Sequence, residues 1–307
     1  MNNCQPAILD SVPVLGRYVF FSMNTPVAGD LRQGLERLAN LVDGRQVLVG
    51  VGPQLVQALG TQLPGLHDFV ALTGPGVAVP STPAALCCWL RGQDQGVLVQ
   101  LTRQLQNALA PQLQLAQVVD AFRHGQGPNG HGRDLTGYED GTENPEGEDA
   151  LAAALVQGAG AGLDGGSFMA VQQWQHNLDA FDAMSQMAQD HMVGRRRSDN
   201  EELEDAPESA HVKRTAQESF EPEAFVLRRS MPWAAGTDCG LMFVAFGKSF
   251  DAFEAQMRRM AGCDDGIVDA MFAISRPVTG ASFWCPPMRD ARLDLSYLST
   301  STRANDK

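Results

Sequence analysis

The 307-residue chain has a formal net charge of −13, and 44% of its residues are hydrophobic. This hydrophobic content is enough to build buried cores, and the length suits two domains of about 150 residues each. The negative charge argues against nucleic acid or an anionic membrane as a partner, because either would need a basic face. We therefore expect the partner to be a small molecule or a protein.

Residues 1–21 lack a positively charged cluster ahead of an apolar run, and no stretch reaches the roughly 18 apolar residues of a membrane helix. The cysteines have no C-x-x-C spacing, so the sequence does not support zinc ribbons, thioredoxin-like chemistry or covalent c-type haem attachment. They are Cys4, Cys87, Cys88, Cys239, Cys263 and Cys285. We expect reduced thiols and a cytoplasmic location. The polar tail 294–307 resembles a bare disordered end more than an address for a protein shell.

The first half of the chain alternates strand and helix patterns. Apolar runs and helical spacing predict a strand at 14–23, a helix at 30–42, strands at 47–51 and 85–90, a helix at 94–109 and a strand at 113–122. A loop rich in glycine and proline is expected at 60–83. The order strand, helix, strand, strand, helix, strand is that of a ferredoxin-like split βαβ unit.

The second half repeats this order. The patterns predict a strand at 167–174, a helix at 177–192, a polar insert at 194–211, strands at 225–231 and 241–246, a helix at 249–263 and a strand at 281–285. The fold class is therefore α+β, with two tandem ferredoxin-like units of antiparallel sheet whose helices pack on one face. We place the units at 1–128 and 129–307.

The connection 123–166 joins the two units, and loops of that length in compact proteins are usually functional. It contains Gly137-Tyr-Glu-Asp140-Gly141-Thr-Glu-Asn-Pro145, where two glycines bracket an acidic pair and Asn-Pro forces an extended backbone. Because glycine lacks a Cβ atom, this turn can present Asp140 close to a planar group. The alternative is a solvated surface loop; a calcium loop is disfavoured because the EF-hand spacing is absent.

Two further segments contain candidate site residues. The polar insert ends at His211, where an ordered loop could turn a histidine inward, although a solvated loop with a structural histidine is the alternative. In the strand at 225–231, Arg228 and Arg229 point to opposite faces, so only one can enter a pocket. Ser230 shares its face with Arg228, which gives that face two hydrogen-bond donors.

Other motifs of catalysis are missing. The sequence has no G-x-S-x-G elbow, P-loop or H-E-x-x-H motif, and the sixth position of a dinucleotide fingerprint begun at Gly50 is Leu55. The remaining histidines lack the spacing of metal ligands and are expected to be structural or on the surface. They are His67, His124, His131, His176 and His191.

Several of these pieces together resemble one family. They are Gly-x-x-Asp-Gly-Thr-x-Asn-Pro at 137–145, Gln-Trp-x-His-Asn-Leu at 173–178, Gly-Arg at 194–195, His211 after an acidic insert and Leu-Arg-x-x-x-Pro at 227–232. From about residue 14 to residue 286 the chain resembles a dye-decolourising peroxidase, and its short insertions are similar to the bacterial B-type branch. That family is built from two ferredoxin-like units and carries haem in the second.

The resemblance implies roles for individual residues. His211 would bind the haem iron on the proximal side, and Asp269 would accept a hydrogen bond from its other ring nitrogen; a solvated helix-end acid is the alternative for Asp269. On the distal side, Asp140 would move a proton between the two peroxide oxygens and Arg228 would stabilise the developing negative charge. Either of the two could carry the larger share.

Three more residues complete the implied haem site. Arg195 would meet a haem propionate, although Arg196 and Arg197 compete for that position, and Gly141 would lie against the haem. Ser230 stands where the family often has asparagine, which leaves its role open. Because Arg228 should keep Asp140 ionised, we expect an acidic activity optimum.

The implied activity is a peroxidase with one haem b per chain. It would reduce hydrogen peroxide through a ferryl intermediate and then oxidise aromatic dyes or phenols. Dyes too bulky to reach the iron would need surface radical relays, for which the candidates are Tyr138, Trp174, Trp233 and Trp284, with core packing as the alternative role. A homo-oligomer is expected from the family. The competing hypotheses are a haem-binding or haem-trafficking protein with incidental peroxidase activity, and a haem-free structural oligomer.

Overall fold

The computed structural model describes residues 3–24 and 30–299, so most of the predicted tail 294–307 lies outside the described residues. Their strands are β1 (Leu15–Met23), β2 (Val47–Val51), β3 (Leu72–Gly74), β4 (Val77–Val79), β5 (Leu86–Gly92), β6 (Leu113–Phe122), β7 (Ser167–His176), β8 (Leu227–Arg228), β9 (Met231–Ala235), β10 (Asp238–Gly247), β11 (Ser275–Pro277), β12 (Ala281–Cys285), β13 (Met288–Arg289) and β14 (Arg292–Leu293).

The α-helices are α1 (Leu31–Ala39), α2 (Pro53–Ala58), α3 (Gln95–Leu109), α4 (Gly147–Ala154), α5 (Leu178–Asp182), α6 (Gln186–Val193), α7 (His211–Arg214), α8 (Asp251–Met260) and α9 (Ser296–Ser299). Short 3-10 helices span Pro6–Ile8, Gln217–Ser219 and Ala270–Ala273. The chain is thus an α+β protein. None of the helices in the described part of the chain is both long and apolar enough to span a membrane.

Several predicted elements are divided or were missed. The single helix predicted at 177–192 is two helices, because the Ser185 hydroxyl accepts the N–H of Ala188 and starts α6 as a new helix. The strand predicted at 225–231 is likewise split into β8 and β9, which pair with different parts of β10. The hairpin β3–β4 and the helices α2 and α4 fall in segments where no element was predicted.

The main strands form one antiparallel sheet that closes on itself. Its order is β11-β7-β12-β2-β5-β1-β6-β9-β10-β8, and β7 also pairs with β10. The N-terminal strands β2-β5-β1-β6 meet the C-terminal strands at two seams, each made by one residue pair. These pairs are Ala121 with Trp233 and Trp284 with Val51. The two halves therefore share a barrel-like ring.

Apolar side chains fill the inside of this ring. Along β7, Met169 and Val171 point into the interior cluster, whereas Ala170 and Trp174 point to the outer face. The outer face of the N-terminal strands is covered by α1, α2 and α3, and that of the C-terminal strands by α8. Because the ring interior is packed, space for a ligand arises outside it, between the C-terminal strands and the helices that cover them.

Candidate active site

A cavity of about 100 Å³ lies between β7, β10 and α8. Its apolar walls include Leu241, Phe243, Phe253, Met257 and Met260, and its polar residues include Asp140, His211 and Arg228. A connected pocket of about 170 Å³ shares these three polar residues and also includes Arg195 and Gly141. The structure therefore brings together residues that lie far apart in the sequence. A larger groove of about 840 Å³, between α4 and α8, is lined by none of the predicted site residues.

The acidic turn holds Asp140 through backbone hydrogen bonds. The N–H of Asp140 donates to the carbonyl of Gly132 at 2.9 Å, and the N–H of Gly137 donates to the carbonyl of Asp134 at 2.9 Å. Gly137 and Gly141 have φ angles of +87° and +79°, which a residue with a Cβ atom adopts at a cost. The glycines that bracket the acidic pair are thus required by the backbone of the turn.

Asn144 connects this turn to the strand that carries Arg228. Its Oδ1 accepts the N–H of Arg228 at 2.7 Å, and its Nδ2 donates to the carbonyls of Arg228 at 3.2 Å and Gly141 at 3.1 Å. From the sequence, Asn144 was expected only to extend the backbone ahead of Pro145. Nothing in the sequence pattern indicates that its side chain binds the backbone of Arg228, which lies 84 residues further along the chain.

The environment of Asp140 differs from the expectation in one respect. Burial raises its pKa above the usual range, while the neighbouring Arg228 lowers it, and the net shift is upward. The attraction of Arg228 was expected, but desolvation of the carboxylate exceeds it. Asp140 is therefore a stronger proton acceptor than a solvated aspartate.

His211 begins α7 and pairs with a buried carboxylate. Its Nδ1 lies 2.7 Å from Oδ2 of Asp269, whose side chain is fully buried. The other oxygen of Asp269 accepts the N–H of Met271 at 2.9 Å, which starts the following 3-10 helix. Burial lowers the pKa of His211, but the Asp269 carboxylate raises it by more. This pairing leaves Nε2 of the imidazole for a ligand and excludes the solvated alternative for Asp269.

The three consecutive arginines at 195–197 have distinct surroundings. Arg195 lines the pocket, and its guanidinium pairs with Glu143 at 2.6 Å and with Glu202. Arg196 instead pairs with Asp199 on the surface, and Arg197 lies over the ring of Tyr138. Of these three, Arg195 is the one that lines the pocket shared with Asp140, His211 and Arg228.

The adjacent Arg228 and Arg229 also separate as the strand period requires. Arg228 lines the cavity, whereas Arg229 donates to the carbonyls of Leu9 and Asp10, both at 2.8 Å. Burial and the nearby Arg91 lower the pKa of Arg229 to about 10. Ser230 is buried and lies in a pocket with Asp140 and Arg228, but its hydroxyl accepts the N–H of Val244 at 3.4 Å.

His176, which was expected to be structural or on the surface, lines the cavity. Its Nε2 lies 3.1 Å from Oδ1 of Asp134, and its Nδ1 lies 2.7 Å from the hydroxyl of Ser275. Burial raises the pKa of Asp134, but His176 and Thr136 lower it to about 2. This pair holds the segment that leads into the acidic turn against β7 and β11.

The four aromatic residues considered as surface radical relays are all buried. Tyr138 and Trp174 are 4% and 6% exposed, and Trp233 and Trp284 are 6% and 0% exposed. Trp174 lines the cavity and donates through its indole N–H to Gln172. All four residues therefore pack in the core, as the alternative role has it, and a surface position for these relays is wrong.

The cavity has the features of a haem site. His211 offers one imidazole nitrogen while Asp269 holds the other, and the walls are largely apolar. Two buried donors in this cavity, Nε of Arg228 and Nε2 of Gln172, lack a hydrogen-bond partner within the described ranges. Unpartnered buried donors are costly unless a ligand meets them. The arrangement defines the class of protein as an α+β protein with a histidine–carboxylate pair in a largely apolar cavity.

Comparisons with known proteins support this class. The family model "Dyp-type peroxidase, C-terminal" matches residues 131–290, more than half of the chain. A dye-decolorizing peroxidase from Mycolicibacterium paratuberculosis is 29% identical over 72% of this chain and 63% of its own length. One from Mycobacterium tuberculosis is 28% identical over 78% of this chain and 72% of its own length.

Solved structures match nearly the whole chain. A variant of DypB from Rhodococcus jostii in complex with heme is 26% identical with a TM-score of 0.80, over 98% of this chain and 99% of that one. A dye-decolorizing protein from V. cholerae is 26% identical with a TM-score of 0.79, over 91% of this chain and 96% of that one. The chain belongs to the Dyp-type peroxidase family, and it is a peroxidase.

Proposed function

We propose that this peroxidase holds one haem b per chain in the cavity, reduces hydrogen peroxide and oxidises aromatic electron donors. One observation carries the proposal: a histidine backed by a carboxylate and an aspartate–arginine pair line the same apolar cavity. A haem-trafficking protein would need the histidine, but it would have no use for Asp140 and Arg228 beside the same space. The solved relative from Rhodococcus jostii that contains heme supports the choice of cofactor.

His211 would hold the haem through Nε2. Because the Asp269 carboxylate accepts the Nδ1 proton, it fixes the ring orientation and makes the imidazole a stronger electron donor. Arg195 would meet a propionate, since it lines the pocket with His211, and the propionate would replace one of its two carboxylate partners, Glu143 or Glu202. Gly141 allows the backbone to lie close to the ring plane. When bound, the haem supplies two electrons to the peroxide.

Asp140 and Arg228 would perform the proton and charge steps on the peroxide. The carboxylate of Asp140 takes the proton from one peroxide oxygen and returns it to the other, which leaves as water. The guanidinium of Arg228 stabilises the negative charge that builds on the departing oxygen. Burial raises the pKa of Asp140, and a raised pKa makes its carboxylate a better base for this transfer. Ser230 lines an adjoining pocket together with Asp140 and Arg228, and its hydroxyl can hold a water molecule there.

The two halves of the ring support a proposal on domain organisation. We assign 1–128 and 129–307 to two ferredoxin-like units whose sheets have joined edge to edge. Single residue pairs at the two seams, against five or more pairs between most other strand neighbours in the ring, favour this division. The cavity then belongs to the second unit.

The absorption spectrum of the purified protein tests the proposed function. We expect a Soret band that is lost in His211→Ala and kept in the control His191→Ala, because His191 lies on α6 and lines neither part of the cavity. One equivalent of hydrogen peroxide should then convert the spectrum within milliseconds to seconds. Slow bleaching without conversion would favour a haem carrier, and a preparation that binds no haem would contradict the proposal.

A further inference from the structure

A further pocket, of about 230 Å³, is lined by Asp140 and Arg228 but not by His211. Residues from the N-terminal segment, the end of β6, the acidic turn and β8–β9 surround it. Its charged and titratable members are Arg123, His124, His131, Arg133, Asp140, Arg228 and Arg229. Because Asp140 and Arg228 also line the haem cavity, this pocket adjoins the proposed reaction site, and the exposed Arg123 places it at the surface.

The cations of this pocket are not neutralised. Within residues 3–24 and 30–299, none of its four arginines forms an ion pair with a carboxylate, whereas arginines such as Arg17, Arg195 and Arg214 do. Arg133 donates to the carbonyls of Gly137 and Gln126, which are uncharged. The one carboxylate in the pocket is Asp140. Four arginines therefore line the pocket together with a single carboxylate.

The carboxylate close to Arg229 is already engaged. The carbonyl of Asp10 accepts a hydrogen bond from Arg229, but the carboxylate Oδ2 of Asp10 lies 2.5 Å from Arg45 and 3.5 Å from Arg91. Arg123 is exposed at the rim of the pocket. The pocket is thus a positive region on a chain whose net charge is −13. A cleft lined by one sign of charge concentrates ligands of the opposite sign.

We infer that this pocket admits peroxides that carry a fixed negative charge, such as peroxymonosulfate or a carboxylate-bearing hydroperoxide. The inference rests on the proposed function and specifies its oxidant. In the reaction the oxygen–oxygen bond of the peroxide breaks, and the peroxide takes up two electrons and two protons. An organic hydroperoxide leaves as its alcohol and water, and peroxymonosulfate leaves as hydrogen sulfate and water. Two one-electron donors of the peroxidase cycle restore the enzyme.

The positive charge of the pocket should affect the rate at which these anionic oxidants oxidise the enzyme. It should not affect the rate with hydrogen peroxide, which is neutral at physiological pH. The cationic rim raises the local concentration of an anion and speeds its entry, and salt screens this attraction. The second-order rate of enzyme oxidation by peroxymonosulfate should therefore fall as ionic strength rises. The rate with hydrogen peroxide should stay within about twofold over the same range.

Charge reversal at the rim provides the test, by stopped-flow measurement on the haem-loaded enzyme. Arg123→Glu should slow oxidation of the enzyme by peroxymonosulfate about fivefold at low salt. It should leave the rate of oxidation by hydrogen peroxide within about twofold of the wild-type rate. The matched control is Arg103→Glu, because Arg103 is exposed on α3 and does not line the pocket. Arg103→Glu changes the net charge by the same amount as Arg123→Glu, and it should react with both oxidants at the wild-type rates.

A structural readout separates the pocket from the reaction. Crystals of the wild type and of Arg103→Glu soaked in bromide should show an anomalous peak in the pocket, and crystals of Arg123→Glu should not. If both oxidants respond equally to salt, and Arg123→Glu behaves as Arg103→Glu does, the inference is overturned while the peroxidase function stands. If neither oxidant reacts but bromide still occupies the pocket, the proposed function is the part that fails.

Discussion

The side-chain amide of Asn144 binds both polar groups of the Arg228 backbone: Oδ1 accepts its N–H at 2.7 Å and Nδ2 donates to its carbonyl at 3.2 Å. The same Nδ2 donates to the carbonyl of Gly141, the residue after Asp140. One side chain therefore sets the position of the carboxylate relative to the guanidinium. The two groups proposed to act on peroxide belong to different segments, and this amide is a direct link between them.

Replacing Asn144 tests that link. Asn144→Ala removes three hydrogen bonds in a half-buried site and should lower the second-order rate with hydrogen peroxide about tenfold, because a looser pair loses about 1–2 kcal/mol of transition-state stabilisation. Haem content, judged from the Soret to protein absorbance ratio, should be unchanged. Asn144→Asp keeps the acceptor for the Arg228 N–H, so its rate should lie between those of the wild type and Asn144→Ala. Equal rates for wild type and Asn144→Ala would refute the role of the amide.

The pKa of Asp140 predicts the acid side of the pH profile. The carboxylate must be ionised to take a proton, so activity should fall as pH drops through its pKa. Because burial raises that pKa, the fall should lie above the usual range of an aspartate near pH 4. Steady-state kcat/KM for hydrogen peroxide against pH measures this limb, which should disappear in Asp140→Asn. A rate that rises steadily to pH 8 would contradict the expected acidic optimum.

Arg228 should control where that limb lies. Its positive charge lowers the pKa of Asp140, so Arg228→Gln should move the limb to higher pH. Arg228→Lys keeps the charge and should leave the limb near its original pH, even if the maximal rate drops. A limb that does not move in Arg228→Gln would show that Asp140 is not the group that titrates. The rates of Asp140→Asn and Arg228→Gln, each at its optimal pH, are then compared. The variant with the larger loss identifies which of the two residues carries more of the reaction.

The helices and strands whose apolar residues repeat with a clear period were predicted within a few residues. The pairing of residues that lie far apart in the sequence was not predicted from the pattern. The helix expected at 94–109 is α3, because its apolar residues repeat at helical spacing and the Asp94 carboxylate caps it. The pairing of His211 with Asp269 spans 58 residues and was inferred from the family resemblance. Ring closure depends on single pairs such as Ala121 with Trp233, which leave no local pattern.

The carboxylate behind His211 should govern how tightly haem is held. Asp269→Asn keeps the size of the side chain but removes the negative charge that polarises the imidazole. Loss of such a partner lowers metal affinity or activity about 10- to 100-fold. We expect faster transfer of haem to excess apomyoglobin and a higher reduction potential of the bound iron. Asp265→Asn is the control, since that carboxylate pairs with Arg214 nearby and does not contact His211. Matching transfer rates in the two variants would rule out the proposed role of Asp269.

The buried pair of Asp134 and His176 should make the fold sensitive to acid. Because the pKa of Asp134 is lowered to about 2 in the folded state, its ionised form stabilises the fold above its unfolded pKa near 4. This contribution, about 2 kcal/mol, should be lost as pH falls from about 4 towards 2. Asp134→Asn should be less stable than the wild type at pH 5, and the difference should shrink at pH 3. Guanidinium unfolding of the haem-loaded protein at both pH values measures it, and a difference that is the same at pH 5 and pH 3 would exclude Asp134 as the titrating group.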